Sequence, residues 1–117
     1  MTSLELTKQI VKILDTKKAE DIRVIKIKDI SIIADYFIIA TGNSSTQVKA
    51  LADEVDFKIG EMGLSPAHTE GYQSATWTVL DYLDVVVHVF YKDTRTTYSL
   101  ERLWSDGVEI PLDELLQ

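Results

Sequence analysis

The chain has 117 residues, of which 45% are hydrophobic and 26% charged, and its 19 acidic and 12 basic side chains give a formal net charge of −7. These values predict one folded domain over residues 1–117 and exclude wholesale disorder. The acidic balance argues against direct nucleic-acid binding, which needs clustered Lys and Arg, and the lack of cysteine excludes disulfides, thiol nucleophiles and cysteine-based zinc sites.

The N-terminal segment predicts an amphipathic helix over residues 3–18. Thr2 and Glu5 have the spacing of a capping box, and Leu6, Ile10 and Leu14 follow at helical intervals. The segment has neither the basic start nor the uninterrupted apolar run of a signal peptide. No stretch approaches the roughly 20 apolar residues that span a bilayer. We therefore expect a soluble, cytoplasmic protein that does not enter a membrane.

Two strands and a second helix follow. Residues 22–28 alternate and predict a strand with one wet face, whereas residues 36–40 are continuously apolar and predict a central strand covered on both faces. Ser44 and Gln47 form a second capping box. The apolar stripe that begins at Val48 predicts a helix that ends at Gly63.

The C-terminal half predicts a loop over residues 64–75, then a tight antiparallel hairpin of strands 77–81 and 85–91. A short helix is expected over residues 93–104. The tail after it either adds a small edge strand or packs loosely.

The order α-β-β-α-β-β-α predicts an α/β fold in which a mixed β-sheet is flanked by helices. The last hairpin strand is apolar on both sides. Val85, Val87 and Val89 point one way, and Val86, His88 and Phe90 point the other way. Either helices cover both sides, or one side is left partly open as a binding surface.

The polar residues could in principle form an enzymatic site, but none of the possible arrangements has the required spacing. The turn of residues 42–45 joins a strand to a helix, where backbone amides bind anions, but it lacks the ending of a Walker motif. Magnesium-dependent nucleotidyl transfer needs paired acids, and the nearest pair, Asp81 and Asp84, flanks a turn. A Ser–His–acid trio of Ser74, His88 and Asp81 lacks a nucleophile elbow.

A metal site would have to draw on His68, Glu70 and His88, which lack metal-ligand spacing, so we expect no metal site and no cofactor. Helix capping is the better interpretation of the serines, and a buried, hydrogen-bonded ring is the better interpretation of His88.

Aromatic and acidic side chains are interleaved in the C-terminal half. Rings of this kind supply contact area in protein interfaces, and carboxylates select a basic partner. Trp104 fits a core and an interface role equally well, whereas Trp77, next to the predicted loop, favours an interface. The residues of this group are Glu70, Trp77, Asp81, Asp84, His88, Phe90, Tyr98, Glu101 and Trp104.

The chain closely resembles the ribosomal silencing factor family, also called RsfS or Iojap-like. The motifs that carry the resemblance lie in order along nearly the whole sequence: KAEDI at 18–22, ADYFII at 34–39, TGNSS at 41–45, EG at 70–71, WTVLDY at 77–82, DVVVHVF at 84–90 and R…YSLERLW at 95–104. Two positions depart from the family pattern. Leu83 stands where a glycine is usual in the hairpin, and Thr46 stands where an arginine is common.

The resemblance implies a non-enzymatic translational repressor with a fold similar to that of nucleotidyltransferases but without their catalytic acids. Such proteins bind the large ribosomal subunit through ribosomal protein L-fourteen and block joining of the small subunit when nutrients are short. Two alternatives stay open: a small nucleotide-binding or nucleotidyltransferase-like enzyme, and a homodimer formed through the apolar second side of the sheet. The contact residues implied for the ribosomal partner are Trp77, Asp81, His88, Tyr98 and Glu101, supported by Glu70 and Phe90. With these contacts, the resemblance implies that the Val85, Val87 and Val89 side of the strand is core and that the Val86, His88 and Phe90 side is the meeting surface.

Overall fold

The protein is described here by a computed structural model that covers residues 1–116. Helices and strands are interspersed along the chain, as in an α/β fold. In chain order they are α1 (Ser3–Thr16), β1 (Glu20–Lys26), β2 (Tyr36–Gly42), α2 (Ser45–Glu61), β3 (His68–Glu70), β4 (Trp77–Asp81), β5 (Val85–Tyr91), α3 (Lys92–Tyr98), α4 (Leu100–Leu103), β6 (Val108–Ile110) and α5 (Leu112–Leu115).

The strands form one sheet in the order β3-β4-β5-β2-β1-β6. Only β2 and β5 are parallel, with Ile38 paired to Val87, and the other neighbouring strands run antiparallel. The all-buried pattern of β2 follows from its central place. A mixed sheet flanked by helices confirms the α/β fold class predicted from the sequence.

One side of the sheet, which we call the first face, is covered by α1, α2 and α5. It carries Val85, Val87 and Val89 of β5, all fully buried, so their predicted place in the core is confirmed. This core is aliphatic apart from two tyrosines at its rim. Its buried members are Leu6, Ile10, Val11, Leu14, Val24, Tyr36, Ile38, Ala40, Val48, Leu51, Ala52, Val55, Ile59, Ala75, Leu80, Tyr82, Val85, Val87, Val89 and Leu115.

Both long helices begin at the predicted caps. The Thr2 hydroxyl accepts a hydrogen bond from the Glu5 amide at 3.1 Å, and the Ser44 hydroxyl accepts one from the Gln47 amide at 3.1 Å. Gln47 reaches one residue further back than in a standard capping box, because its Oε1 accepts from the amide of Asn43. No helix within residues 1–116 is both long and apolar enough to cross a bilayer.

The structure differs from the sequence prediction in three segments. The predicted loop 64–75 contains the edge strand β3, whose exposed residues show no apolar alternation. The predicted helix 93–104 is two helices, because Ser99 adopts a left-handed conformation (φ 46°) between them. The tail forms β6 against β1, the first of the two outcomes left open, and then α5, which was not predicted and which buries Leu115 in the first-face core.

Candidate functional site

The opposite side of the sheet, which we call the second face, holds an aromatic cluster. Trp77 on β4 pairs in register with Phe90 on β5, so both side chains lie on this face and their rings stack at 4.9 Å with 27° between planes. Tyr98, at the end of α3, also packs against the indole, with the ring centroids 4.9 Å apart and 45° between planes. Tyr98 is exposed and Trp77 half-buried, so the pair forms the outer layer of the cluster.

His88 lies beneath Trp77. The indole Nε1 donates a hydrogen bond to His88 Nδ1 at 3.1 Å, and the Phe37 ring meets the imidazole edge-on at 4.9 Å. Because Nδ1 accepts, the ring proton of the neutral imidazole belongs on Nε2, which is buried and has no hydrogen-bond partner within residues 1–116. Burial lowers the pKa of His88 to about 4, so the ring is neutral at pH 7.

The burial of this layer corrects one expectation from the sequence. We expected Val86, His88 and Phe90 to form an open meeting surface, but Phe90 is fully buried and His88 almost so, and only Val86 is half-buried. The cause is tertiary: Trp77 folds over both rings from the neighbouring strand. What reaches solvent is the Trp77–Tyr98 layer.

A strap of residues 92–104, formed by α3 and α4, covers part of the second face. Leu100 is buried in the core beneath it, and the Trp104 ring meets Phe37 edge-on at 5.2 Å. Trp104 thus packs against the second-face core, which is the first of the two roles considered for it. The strap consists of helices of only 7 and 4 residues, so tertiary contacts must hold it in place.

Arg95 fastens the strap and was not singled out from the sequence. Its buried guanidinium donates to Thr41 Oγ1 at 2.6 Å and to the backbone carbonyl of Asp21, and its Nη2 lies 3.1 Å from a carboxylate oxygen of Glu101. These contacts join the strap to β1 and β2. Sequence reasoning missed the role of Arg95 because two of its partners, Thr41 and Asp21, lie 54 and 74 residues away along the chain. The only signal was its place in the R…YSLERLW motif.

Glu101 therefore has an internal partner. Its Oε2 accepts from Arg95 Nε at 3.2 Å, although about a quarter of its side chain remains exposed. The acidic residues on β3 and β4 differ from it in this respect. Glu70 is exposed, Asp81 is half-buried, and neither has an ion-pair partner in the described part of the chain.

The strand register places these two carboxylates on the same face as the aromatic cluster. Glu70 pairs with Val79, which pairs with His88, and Asp81 pairs with Val86. Gly71 is needed beside this row: it has φ 74°, and a side chain there would collide with the carbonyl oxygen of Trp77. All seven residues predicted as contacts thus lie on the second face or its strap, and their role as partner contacts stays a prediction.

The arrangement of these residues gives little support to the enzymatic and metal sites that the sequence suggested. The Ser44 hydroxyl is used as the cap of α2, which confirms the capping interpretation. Asp81 Oδ1 accepts from the Leu83 amide at 2.8 Å and so stabilises the hairpin turn. Residues 1–116 contain no group of three or more His, Asp or Glu side chains placed to hold a metal ion.

Comparisons with known proteins agree on one family. Residues 1–117 match the family model described as "Ribosomal silencing factor during starvation". The chain is 43% identical over 116 residues to the ribosomal silencing factor RsfS of Halalkalibacterium halodurans, with 99% of both chains covered. It is 46% identical over 99 residues to RsfS of Bacillus subtilis, covering 85% of this chain and 84% of the relative.

A solved structure is also similar. A crystal structure of a protein from Chromobacterium violaceum superposes with a TM-score of 0.87 at 36% identity, covering 90% of this chain and 88% of that one. The match of the family model over the full length and the identity to its members confirm the resemblance seen in the motifs. The chain belongs to the ribosomal silencing factor family.

Proposed function

We propose that this protein binds the large ribosomal subunit through ribosomal protein L-fourteen. It would block joining of the small subunit by occupying the face of the large subunit on which the small subunit docks. Membership of the family implies a role in ribosome silencing and hence in the regulation of translation. The partner, the steric mechanism and the repression of translation under nutrient limitation are the parts that we propose. The mechanism needs no cofactor and no enzymatic step, and it places the protein in the cytoplasm.

The observation that carries the proposal is the outer aromatic layer. Trp77 and Tyr98 expose their rings above a layer of buried rings that keeps them in position. Rigid, partly exposed aromatic side chains lose little conformational entropy on binding and are typical energetic anchors of protein interfaces. An interface centred on these two rings is therefore already arranged in the free protein.

Charge supports a basic partner. Glu70 and Asp81 lie on the same face without ion-pair partners in the described residues, and the whole chain has a net charge of −7. Carboxylates at the rim of an interface accelerate encounter with a basic protein and select its orientation. Ribosomal protein L-fourteen would supply the basic side chains that these carboxylates meet.

The remaining contact residues receive roles that follow from their burial. His88 and Phe90 would support the outer layer from beneath. Glu101 would act mainly by holding Arg95 and, through it, the strap that carries Tyr98. The likeness to nucleotidyltransferases stays a prediction. The enzyme alternative has no supporting observation beyond the turn at residues 42–45, and homodimer formation through the second face would compete with the ribosome for the same rings.

Co-sedimentation with purified large subunits tests the proposal. Wild-type protein should pellet with large subunits and not with intact ribosomes, and Trp77→Ala or Tyr98→Ala should each weaken binding by about 2 kcal/mol or more. Phe57→Ala, which removes an exposed ring on α2, is the matched control and should bind normally. Undiminished binding of the Trp77 and Tyr98 variants would refute the proposed surface.

A further inference from the structure

A group of exposed aliphatic side chains lies at one end of the sheet, outside the aromatic cluster. Ile30, Ile32 and Ile33 belong to the loop between β1 and β2, and Leu83 belongs to the turn between β4 and β5. Ile32 is fully exposed, Ile33 is 59% exposed and Leu83 is 63% exposed. We call these four residues the isoleucine patch.

The two segments that carry the patch are joined at their bases. The carbonyl oxygen of Asp84 accepts hydrogen bonds from the amides of Asp35, at 2.7 Å, and Tyr36, at 3.1 Å. Leu83 is one residue from this junction and Ile33 is two residues from it. The loop is also closed on itself by a bond of 2.8 Å from the Ile27 amide to the Asp35 carbonyl. The patch is therefore presented by a defined loop and turn.

The patch continues the second face. Ile27 and Ala34, at the two ends of the loop, are buried in the same core as Phe37 and Phe90. Asp81 and Val86, which pair across β4 and β5, lie on the second face next to the turn that holds Leu83. The patch therefore adjoins the second face at the end opposite Trp77.

The backbone of Leu83 indicates that its side chain serves something other than folding. Its φ of 73° lies in the left-handed region that favours glycine, so a leucine there is strained. Packing of the side chain offsets little of this strain, because the side chain is mostly exposed. Strained and exposed apolar residues of this kind are a recurrent feature of binding sites.

Charge identifies the kind of partner. The two segments and the adjoining end of β4 carry four carboxylates, Asp29, Asp35, Asp81 and Asp84, against one lysine, Lys28, and none of the five has an ion-pair partner within residues 1–116. A second copy related by a two-fold axis would bring these carboxylates against themselves. A membrane with anionic lipids would repel them. A protein surface with exposed apolar side chains and a basic rim fits.

We propose that the isoleucine patch is a second docking site on this protein, which receives apolar side chains of a basic-rimmed protein surface of the large ribosomal subunit. This inference rests on the proposed function and extends it. The aromatic layer would provide one anchor, and the patch would provide another at the far end of the same face.

Binding of the full chain to purified large subunits, measured across a concentration series, tests the inference with the double variant Ile32→Ser and Leu83→Gly. Ile32 packs on nothing and glycine suits the backbone at residue 83, so the thermal unfolding midpoint should not fall. We expect affinity to decrease by about tenfold or more, which corresponds to roughly 1.4 kcal/mol. Phe57→Ser, which removes an apolar side chain on α2 that is about as exposed as Leu83, should bind as wild type does.

The outcomes separate the two proposals. If wild-type protein binds and the double variant binds equally well, the docking role of the patch is overturned while the proposed function stands. If wild-type protein does not bind large subunits, both are overturned. If free wild-type protein dimerises in sedimentation equilibrium and the double variant does not, a second copy is the occupant and the inference fails.

Reversing one charge beside the patch tests whether the partner is basic. Asp29→Lys should weaken binding at low salt, whereas Glu61→Lys on α2 should not. Unchanged or tighter binding of the Asp29 variant would overturn the assignment of a basic partner.

Discussion

The two faces of the sheet are built from different chemistry. The first face is aliphatic under two long helices, and α5 closes it. The second face holds Phe37, His88 and Phe90 as a ring layer, and a strap of two short helices covers only part of it. The side chains of β5 alternate between the two environments, so one strand belongs to both.

This difference is consistent with a division between a face that stabilises the fold and a face that serves the recognition we propose. Aliphatic side chains packed under long helices stabilise the fold by burial, without directional contacts between them. This suits a core. The second face instead orients its groups through specific contacts: Trp77 donates to His88, and Arg95 ties the strap to two strands. A face that must present rings to a partner needs such contacts, because position as well as burial matters there.

The largest expected effect is on stability, and it compares the two faces through neighbouring residues of one strand. Ile38 and Ile39 are neighbours on β2, both are fully buried, and they face opposite sides. We expect Ile38→Ala to lower the free energy of unfolding by about 4 kcal/mol and Ile39→Ala by about 2–3 kcal/mol, because the short strap can move to fill part of the space. Urea unfolding of the two variants measures this. Equal losses would show that the strap packs as firmly as the long helices do.

Removal of Arg95 tests whether the strap depends on its fastening. Arg95→Met should lower the free energy of unfolding by about 3 kcal/mol, because the Thr41 hydroxyl, the Asp21 carbonyl and Glu101 lose a buried partner. Near-ultraviolet circular dichroism should also change as Trp77 and Trp104 lose their fixed surroundings. Arg102→Met, which removes an exposed arginine from the same strap, is the control and should do neither. A stable variant with an unaltered spectrum would contradict the fastening role.

Acid should weaken the second face through His88. The pKa of the ring is about 4 in the folded protein and about 6.5 in the unfolded chain, so the unfolded state binds the additional proton between these values. Stability is therefore complete above pH 6.5 and falls as the pH drops, by roughly 2 kcal/mol between pH 7 and pH 5. The measurement is the difference between the pH profiles of wild type and His88→Asn, in which the other titrating groups cancel. Parallel profiles would refute the assignment.

The smallest effect isolates one hydrogen bond. Trp77→Phe keeps a ring over Phe90 but removes the Nε1 donor to His88, and we expect a loss of about 1 kcal/mol in the free energy of unfolding. Nuclear magnetic resonance of the His88 ring should show a change in its surroundings. If neither stability nor the ring signals change, the bond does not hold the cluster.

The elements with strong local signals were predictable from the sequence. The caps at Thr2 and Ser44, the long helices and the hairpin of β4 and β5 are confirmed within a few residues. The segments that were missed have weak local signals. β3 is three exposed residues that are strand only because β4 lies beside them, and the break at Ser99 has no glycine to mark it. Neither follows from periodicity.

The candidate site, like the fold, was only partly predictable from the sequence. The motifs indicated the family, and the alternation of β5 showed that the strand has two apolar sides. The sequence did not indicate which rings are buried, because that depends on Trp77 folding across from the next strand, or that Glu101 is paired, because its partner Arg95 is held by β1 and β2.

By itself, therefore, the sequence determined the two long helices, the hairpin of β4 and β5, the α/β class and the family, since each of these follows from local pattern or from motifs in order. The tertiary structure decided which side of β5 is closed and which residues remain on the surface. It placed His88 beneath the outer aromatic layer that Trp77 and Tyr98 form. The physical reason is that burial depends on neighbours across the sheet, which are distant along the chain.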